Sequence, residues 1–125
     1  MAHYHEFDAL PKRHRRRLHE LLHDDERFVM AATYGRWIFK RYSPFVVLTT
    51  ERLFELQNIS SVDRTDEIAL RAISRVVSGQ RYDKGRPVLE VEGHGIDKEL
   101  VLPPGAGKRF ADAVRAQLGE QKEVA

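Results

Sequence analysis

The 125-residue chain contains no cysteine. That absence excludes a disulfide framework, a thiolate metal site and a cysteine nucleophile, and it fits a reducing compartment. Long apolar runs are missing as well. No stretch approaches the roughly 20 apolar residues that a membrane-spanning helix needs. The start, Met1 to Glu6, carries His and Glu where a secretory signal would have a basic tip and an apolar stretch. A cytoplasmic protein is expected, and the length suits one domain with a single core that needs no staple.

A strong excess of either charge is also lacking, since 21 Lys and Arg stand against 19 Asp and Glu. The small surplus is nevertheless localised. Residues 1–23 hold five Lys and Arg against three Asp and Glu, leaving sixteen of each sign in residues 24–125. Five of the six histidines lie in the same N-terminal stretch. The break near His23 separates a basic arm, residues 1–25, from a balanced domain, residues 26–119, and a charged tail, residues 120–125.

Within the arm, residues 1–6 show no pattern and are expected to be mobile. A helical period then follows from Asp8, a candidate N-cap, to His23. Phe7, Leu10, His14, Leu18, Leu21 and Leu22 share one face. Lys12, Arg13, Arg15, Arg16 and Arg17 fall on the other, with His19 and His23, and form the candidate surface for a polyanion or an anionic membrane.

The domain opens with a strand from Phe28 to Tyr34, followed by Arg36 to Tyr42, which reads as a strand or a long hairpin tip. Trp37 and Phe39 in this segment are weighed as core residues. Phe45 to Phe54 reads as strand, tight turn and strand, with the turn at Thr49 to Arg52. Gln57 to Glu67 is polar and reads as a connection, with Ile59 and Val62 as a candidate extension of the preceding strand. Ile68 to Ser78 fits a helix or a bulged strand, and its β-branched residues favour the strand. Two further strands follow: Val88 to Glu92, with Leu89 and Val91 inward, and Lys98 to Leu102. Ala106 to Leu118 is helical, with Phe110, Val114 and Leu118 on one face and Gly119 as the expected stop.

Catalytic and cofactor motifs are weak throughout. Pro104-Gly105-Ala106-Gly107-Lys108-Arg109 lacks the first glycine of a phosphate loop and has Arg109 where a hydroxyl belongs. His19 and His23 are one helical turn apart, but no third metal ligand follows at fixed spacing. Glu90 and Glu92 alternate outward on a strand, His94 sits between two glycines, and no Gly-x-Ser-x-Gly nucleophile occurs. No enzyme, metal or cofactor is expected.

Taken together, Glu26-Arg27-Phe28-Val29, Val47-Leu48-Thr49-Thr50-Glu51-Arg52-Leu53, Ile73-Ser74-Arg75-Val76 and Leu100-Val101-Leu102-Pro103-Pro104 leading into Arg109 to Val114 resemble the bacterial pleckstrin-homology-like domains. The resemblance covers residues 26 to 118. It implies a mainly β fold, a bent antiparallel sandwich or barrel capped by the C-terminal helix, with the basic helix as an addition. It also implies a non-catalytic adaptor that self-associates as a homo-oligomer and binds a protein segment of unknown identity. The alternative is a peripheral membrane module at the inner face of the membrane, using the basic helix, and the resemblance also makes Arg36, Trp37, Lys40 and Arg41, in the first hairpin, a second candidate binding surface. A nucleic-acid accessory role ranks below both.

Overall fold

A computed structural model describes residues 2–10, 12–33, 45–59, 62–80, 87–102 and 107–124. Its strands are β1 (Ala2–Tyr4), β2 (Phe28–Thr33), β3 (Phe45–Thr49), β4 (Arg52–Ile59), β5 (Val62–Ala69), β6 (Ile73–Gln80), β7 (Pro87–Gly93) and β8 (Ile96–Val101). Helix α1 spans Lys12–Leu21 and α2 spans Gly107–Val124. The first five strands form one antiparallel sheet in the order β1-β2-β3-β4-β5, and the last three form a second, β6-β7-β8. The described strands make two separate sheets, so the barrel alternative gives way to a sandwich.

Alternation along the strands builds the core. Val46 and Leu48 of β3 and Leu53 of β4 face Leu89, Val91 and Leu100 of the second sheet. Phe110, Ala111 and Val114 of α2 enter the same cluster, with Leu118 packed against it. Phe110 and Val114 are fully buried, as the four-residue spacing predicts. The inward Leu89 and Val91 and the exposed Glu90 and Glu92 also follow the predicted alternation.

A second apolar cluster lies on the other side of the five-stranded sheet. Phe45, Val47, Phe54 and Leu56 point outward there and are covered by Leu10 and Leu18, with Phe7, Leu21 and Phe28 around them. All five residues of β3 are consequently buried. The leucine face of α1 therefore packs on the domain. His14 adds a stacked contact with Phe45, ring centroids 4.1 Å apart.

Several sequence expectations need correction. Residues 2–4 pair with β2, Ala2 opposite Thr33, because an edge ladder needs backbone groups and no side-chain pattern. The N-terminal helix does not start at Asp8, which lies in a 3-10 turn at Phe7–Ala9. Leu10 is extended, φ −67° and ψ 148°, as its proline neighbour in the sequence requires. The connection expected from Gln57 to Glu67 is instead strand on both sides, Gln57 opposite Arg64 and Asn58 opposite Asp63, and the extension allowed at Ile59 and Val62 is found, the two standing opposite each other. Once Leu53 and Ile68 set the register in the core, the ladder continues past it on backbone bonds.

Residues 68–78, expected as a single bulged strand, divide into the end of β5, a 3-10 corner at Leu70–Ala72 and the start of β6 in the other sheet, with a register shift between Ile73 and Arg75. Helix α2 passes through Gly119 to Val124, so residues 120–124 are helical and not a separate tail. A single interior glycine costs about 1 kcal/mol, and the Glu120-Gln121-Lys122-Glu123 run that follows favours helix.

Candidate functional site

The helix on the outer sheet face is fixed at its C-terminal end by a polar hub. Glu26, just before β2, has a fully buried side chain, and Arg52, first in β4, is 12% exposed. Their groups meet in a bidentate pair, with Arg52 Nε 2.9 Å from Glu26 Oε2 and Arg52 Nη2 on Oε1. Thr49 Oγ1 donates to Glu26 Oε2 at 2.5 Å and the His23 backbone N–H donates to Oε1 at 3.1 Å. The same Thr49 oxygen accepts the N–H groups of Glu51 and Arg52, which closes the β3–β4 turn.

Arg52 also reaches outward. Its Nη2 donates to the carbonyl of Leu21, the last residue of α1, at 2.8 Å, and its Nη1 to Glu67 at 2.7 Å. A cation at the C-terminal carbonyls of a helix satisfies an orphan acceptor and complements the dipole. The guanidinium carbon lies 4.4 Å from the Phe54 ring centroid. Burial, the largest single influence, pushes the Glu26 carboxyl up, but Arg52, Thr49 and the His23 N–H together outweigh it and hold the group below its ordinary value. The Glu26 partnership raises Arg52 in turn, against the opposing effect of burial.

This hub was not legible as a site. Glu26 ends the acidic run Asp24-Asp25-Glu26 between the arm and β2, and Thr49 and Arg52 read as turn residues. Their spacing of three across a two-residue turn is the available signal, because it places a hydroxyl and a guanidinium side by side. His23, Glu26 and Glu51 bring ligand atoms within 4.8 Å of one another, the arrangement a cation would want. The fit is poor, because both Glu26 oxygens already serve Arg52 and Thr49, and a cation would sit against the guanidinium. His19 is not in this group, so the His19–His23 pair is not what gathers carboxylates. A shallow hollow of about 310 Å³ beside the hub is lined by His23, Glu51, Arg52, Ala69 and Arg71.

The predicted basic surface divides. Lys12 and Arg16 are exposed on α1, Arg15 and Arg17 are half-buried, and Arg17 donates to Thr65 Oγ1 of β5 at 2.9 Å. Arg13 lies in α1, and its side chain falls outside the described atoms. The second candidate surface, Arg36, Trp37, Lys40 and Arg41, lies outside the described residues. Lys108 and Arg109 of the glycine-lysine run are exposed in the first turn of α2, a packing helix.

Sheet edges supply the remaining candidates. The β5 and β8 edges are dense in charge, with Asp63, Arg64, Asp66 and Glu67 on one and Asp97, Lys98 and Glu99 on the other. Lys98 and Asp66 bridge the two edges at 3.1 Å. Strand β6 differs: its eight residues, Ile-Ser-Arg-Val-Val-Ser-Gly-Gln, include one charge. Among the described residues no strand pairs with its outer edge. The Val76 carbonyl there accepts Arg115 Nη2 of α2 at 2.9 Å, so Val76 points its backbone groups away from β7. By antiparallel alternation Ser78 does the same.

No protein-family model matches this chain, and no curated protein matches it. Solved structures do. The Vps36 N-terminal PH domain superposes with a TM-score of 0.63 at 15% sequence identity, over 82% of this chain and 86% of that one. A DUF1696-family protein with a pleckstrin-homology domain from Shewanella loihica PV-4 gives 0.55 at 17% identity, over 84% and 86%.

Proposed function

We propose that this chain, whose fold is that of a pleckstrin-homology-like domain, is a non-catalytic adaptor of the cytoplasm that binds an extended protein segment and associates with itself. The observation that carries the reading is the edge of β6 beside α2, with which no described strand pairs. An unpaired edge with outward N–H and C=O groups accepts an added strand, and charge is the usual device that prevents it. Charge is dense on β5 and β8 and sparse on β6. The buried Leu18 and the 3% exposed Leu10 weigh against α1 as the apolar part of a membrane contact. The exposed Lys12 and Arg16 would offer a bilayer a salt-sensitive attraction.

The test selects extended peptides from a display library on the intact chain and compares their binding to wild type and to Ser78→Pro. Ser78 is exposed, and proline there removes an outward N–H while sparing the β6–β7 ladder. Loss of binding with an unchanged circular dichroism spectrum and melting temperature is the expected result. Equal binding by the proline variant rejects the β6 edge. Salt-resistant co-sedimentation of the intact chain with anionic vesicles, with no peptide selected, rejects the adaptor reading in favour of the membrane.

A further inference from the structure

We propose that the extended segment taken at the β6 edge is acidic, and that Arg115 is the residue that selects it. The proposal rests on the adaptor reading above and adds the chemistry of the segment.

At one point along its length the edge is already engaged. Helix α2 packs along β6 through Phe110, Ala111 and Val114, and from its half-exposed flank Arg115 Nη2 donates to the Val76 carbonyl at 2.9 Å. An antiparallel strand added here would exchange two backbone bonds with Val76, whose N–H and C=O both point away from β7. Its N–H would be aimed at the carbonyl that Arg115 now holds. The guanidinium must then turn away or share the oxygen, and in either case it lies against the incoming residue.

Register says which residue that is. Directly paired residues share a side of a sheet, and Val76 is buried on the side that α2 covers. The side chain opposite Val76 therefore projects toward the flank of α2 that carries Arg115, as does the one opposite Ser78, about 7 Å further along. Arg75, the charged residue of β6, falls on the other side of the strand, 3.9 Å from Glu92, and takes no part.

The charges around Arg115 decide what that side chain should be. Among the described residues its carboxylate partner is Asp112, which meets Nη1 at 3.2 Å. The two side chains are 50% and 58% exposed, so theirs is a surface pair one helical turn apart, and such pairs are weak. Nη2 serves Val76 instead. A guanidinium offers five donors in a planar fork that suits a carboxylate, so an acidic residue on the segment takes up the donors that the Val76 carbonyl releases. A neutral segment leaves them to water. A basic one sets a like charge against them. The backbone ladder is the same for all three, so Arg115 supplies the discrimination.

Selection from a random twelve-residue display library on the intact chain, and separately on Arg115→Glu, tests this. Wild type should enrich Asp and Glu, and Arg115→Glu should enrich Lys and Arg. Each wild-type peptide is then synthesised with its acidic residues intact or changed to Asn and Gln, and with a free or amidated C-terminus, which separates a side-chain carboxylate from a terminal one. Binding to wild type, Arg115→Gln and Ser78→Pro is read by fluorescence anisotropy. Removing the carboxylate should weaken binding to wild type about five- to tenfold, the size of a charge-assisted bond at a partly exposed site. Arg115→Gln should bind the acidic and neutral forms alike, and the neutral form no more weakly than wild type does. A misfolded variant would weaken both forms equally. Ser78→Pro should abolish binding of each. Equal affinity of wild type for the two forms, or a carboxylate preference that survives Arg115→Gln, overturns the selection by Arg115, and if binding still fails with Ser78→Pro the edge itself stands. Binding untouched by Ser78→Pro, or a library that yields no peptide, overturns both.

Discussion

Replacing Arg52 by alanine removes the group on which the hub depends. The Glu26 carboxylate, fully buried, would lose both of its guanidinium bonds and keep Thr49 and one backbone N–H. Breaking a buried pair by deleting one partner costs about 3 to 5 kcal/mol, because the remaining charge is desolvated and uncompensated. The Glu67 contact adds little, since Glu67 is 56% exposed. The helix-capping bond to Leu21 and the Phe54 contact are lost as well, so the upper half of that range is expected. Against a typical domain stability of about 5 to 15 kcal/mol this is a large loss.

Glu26→Gln keeps the shape and forfeits the charge, and should cost about 1 to 3 kcal/mol. The pair of changes Glu26→Leu and Arg52→Met together should be nearly neutral, within roughly 1 to 2 kcal/mol, since neither buried charge remains. Urea unfolding followed by far-ultraviolet circular dichroism at neutral pH gives all of these values, with Glu26→Leu and Arg52→Met measured singly to complete the cycle. An Arg52→Ala loss below about 1 kcal/mol, or strict additivity in the cycle, would refute the hub as the fastening of α1. Acid provides an independent check. The folded-state value of Glu26 lies below its ordinary 4.5, so its contribution is complete above that pH and is lost as pH falls through the folded value. The deficit of Glu26→Gln relative to wild type should therefore shrink below about pH 4.5.

Two further outcomes probe the packing. Phe110→Ala, at a fully buried position that joins α2 to both sheets, should cost about 3 to 5 kcal/mol in the same urea assay. Gly93 and Gly119 should respond in opposite directions to alanine: a Cβ at Gly93 would fall 2.0 Å from the Ala72 carbonyl oxygen, whereas Gly119 has open space around it within a helix. Gly119→Ala should gain about 0.5 to 1 kcal/mol, and Gly93→Ala should lower the melting temperature by disturbing the corner between β5 and β6.

Local signals carried far in this chain and then stopped at a physical boundary. The Thr49 to Arg52 turn, the inward Leu89 and Val91 and the Phe110, Val114, Leu118 stripe are each decided by neighbours in sequence, and each is found in place. Strand β1 and the β4–β5 extension depend on backbone pairing with segments whose side chains carry no period, so polar composition there read as loop. The hub joins Glu26 to residues 23 and 26 positions away, and Arg115 meets the Val76 carbonyl across 39 positions. Neither exists as a pattern until the sheets are assembled.

The apolar run of β3 shows what the N-terminal arm covers. Phe45-Val46-Val47-Leu48 is continuously apolar, while an antiparallel strand with one solvated face alternates. Such a run in an antiparallel sheet requires a cover on both faces, and the cover on the outer one is α1. Deleting residues 1–23 would therefore uncover Phe45, Val47, Phe54 and Leu56 together with the polar hub, and the product would expose a new apolar patch of its own. Binding gained or lost by that truncation would report the uncovered sheet as much as the missing cations. Charge substitutions at Lys12 and Arg16, which are exposed, leave the leucines in place and separate the two effects.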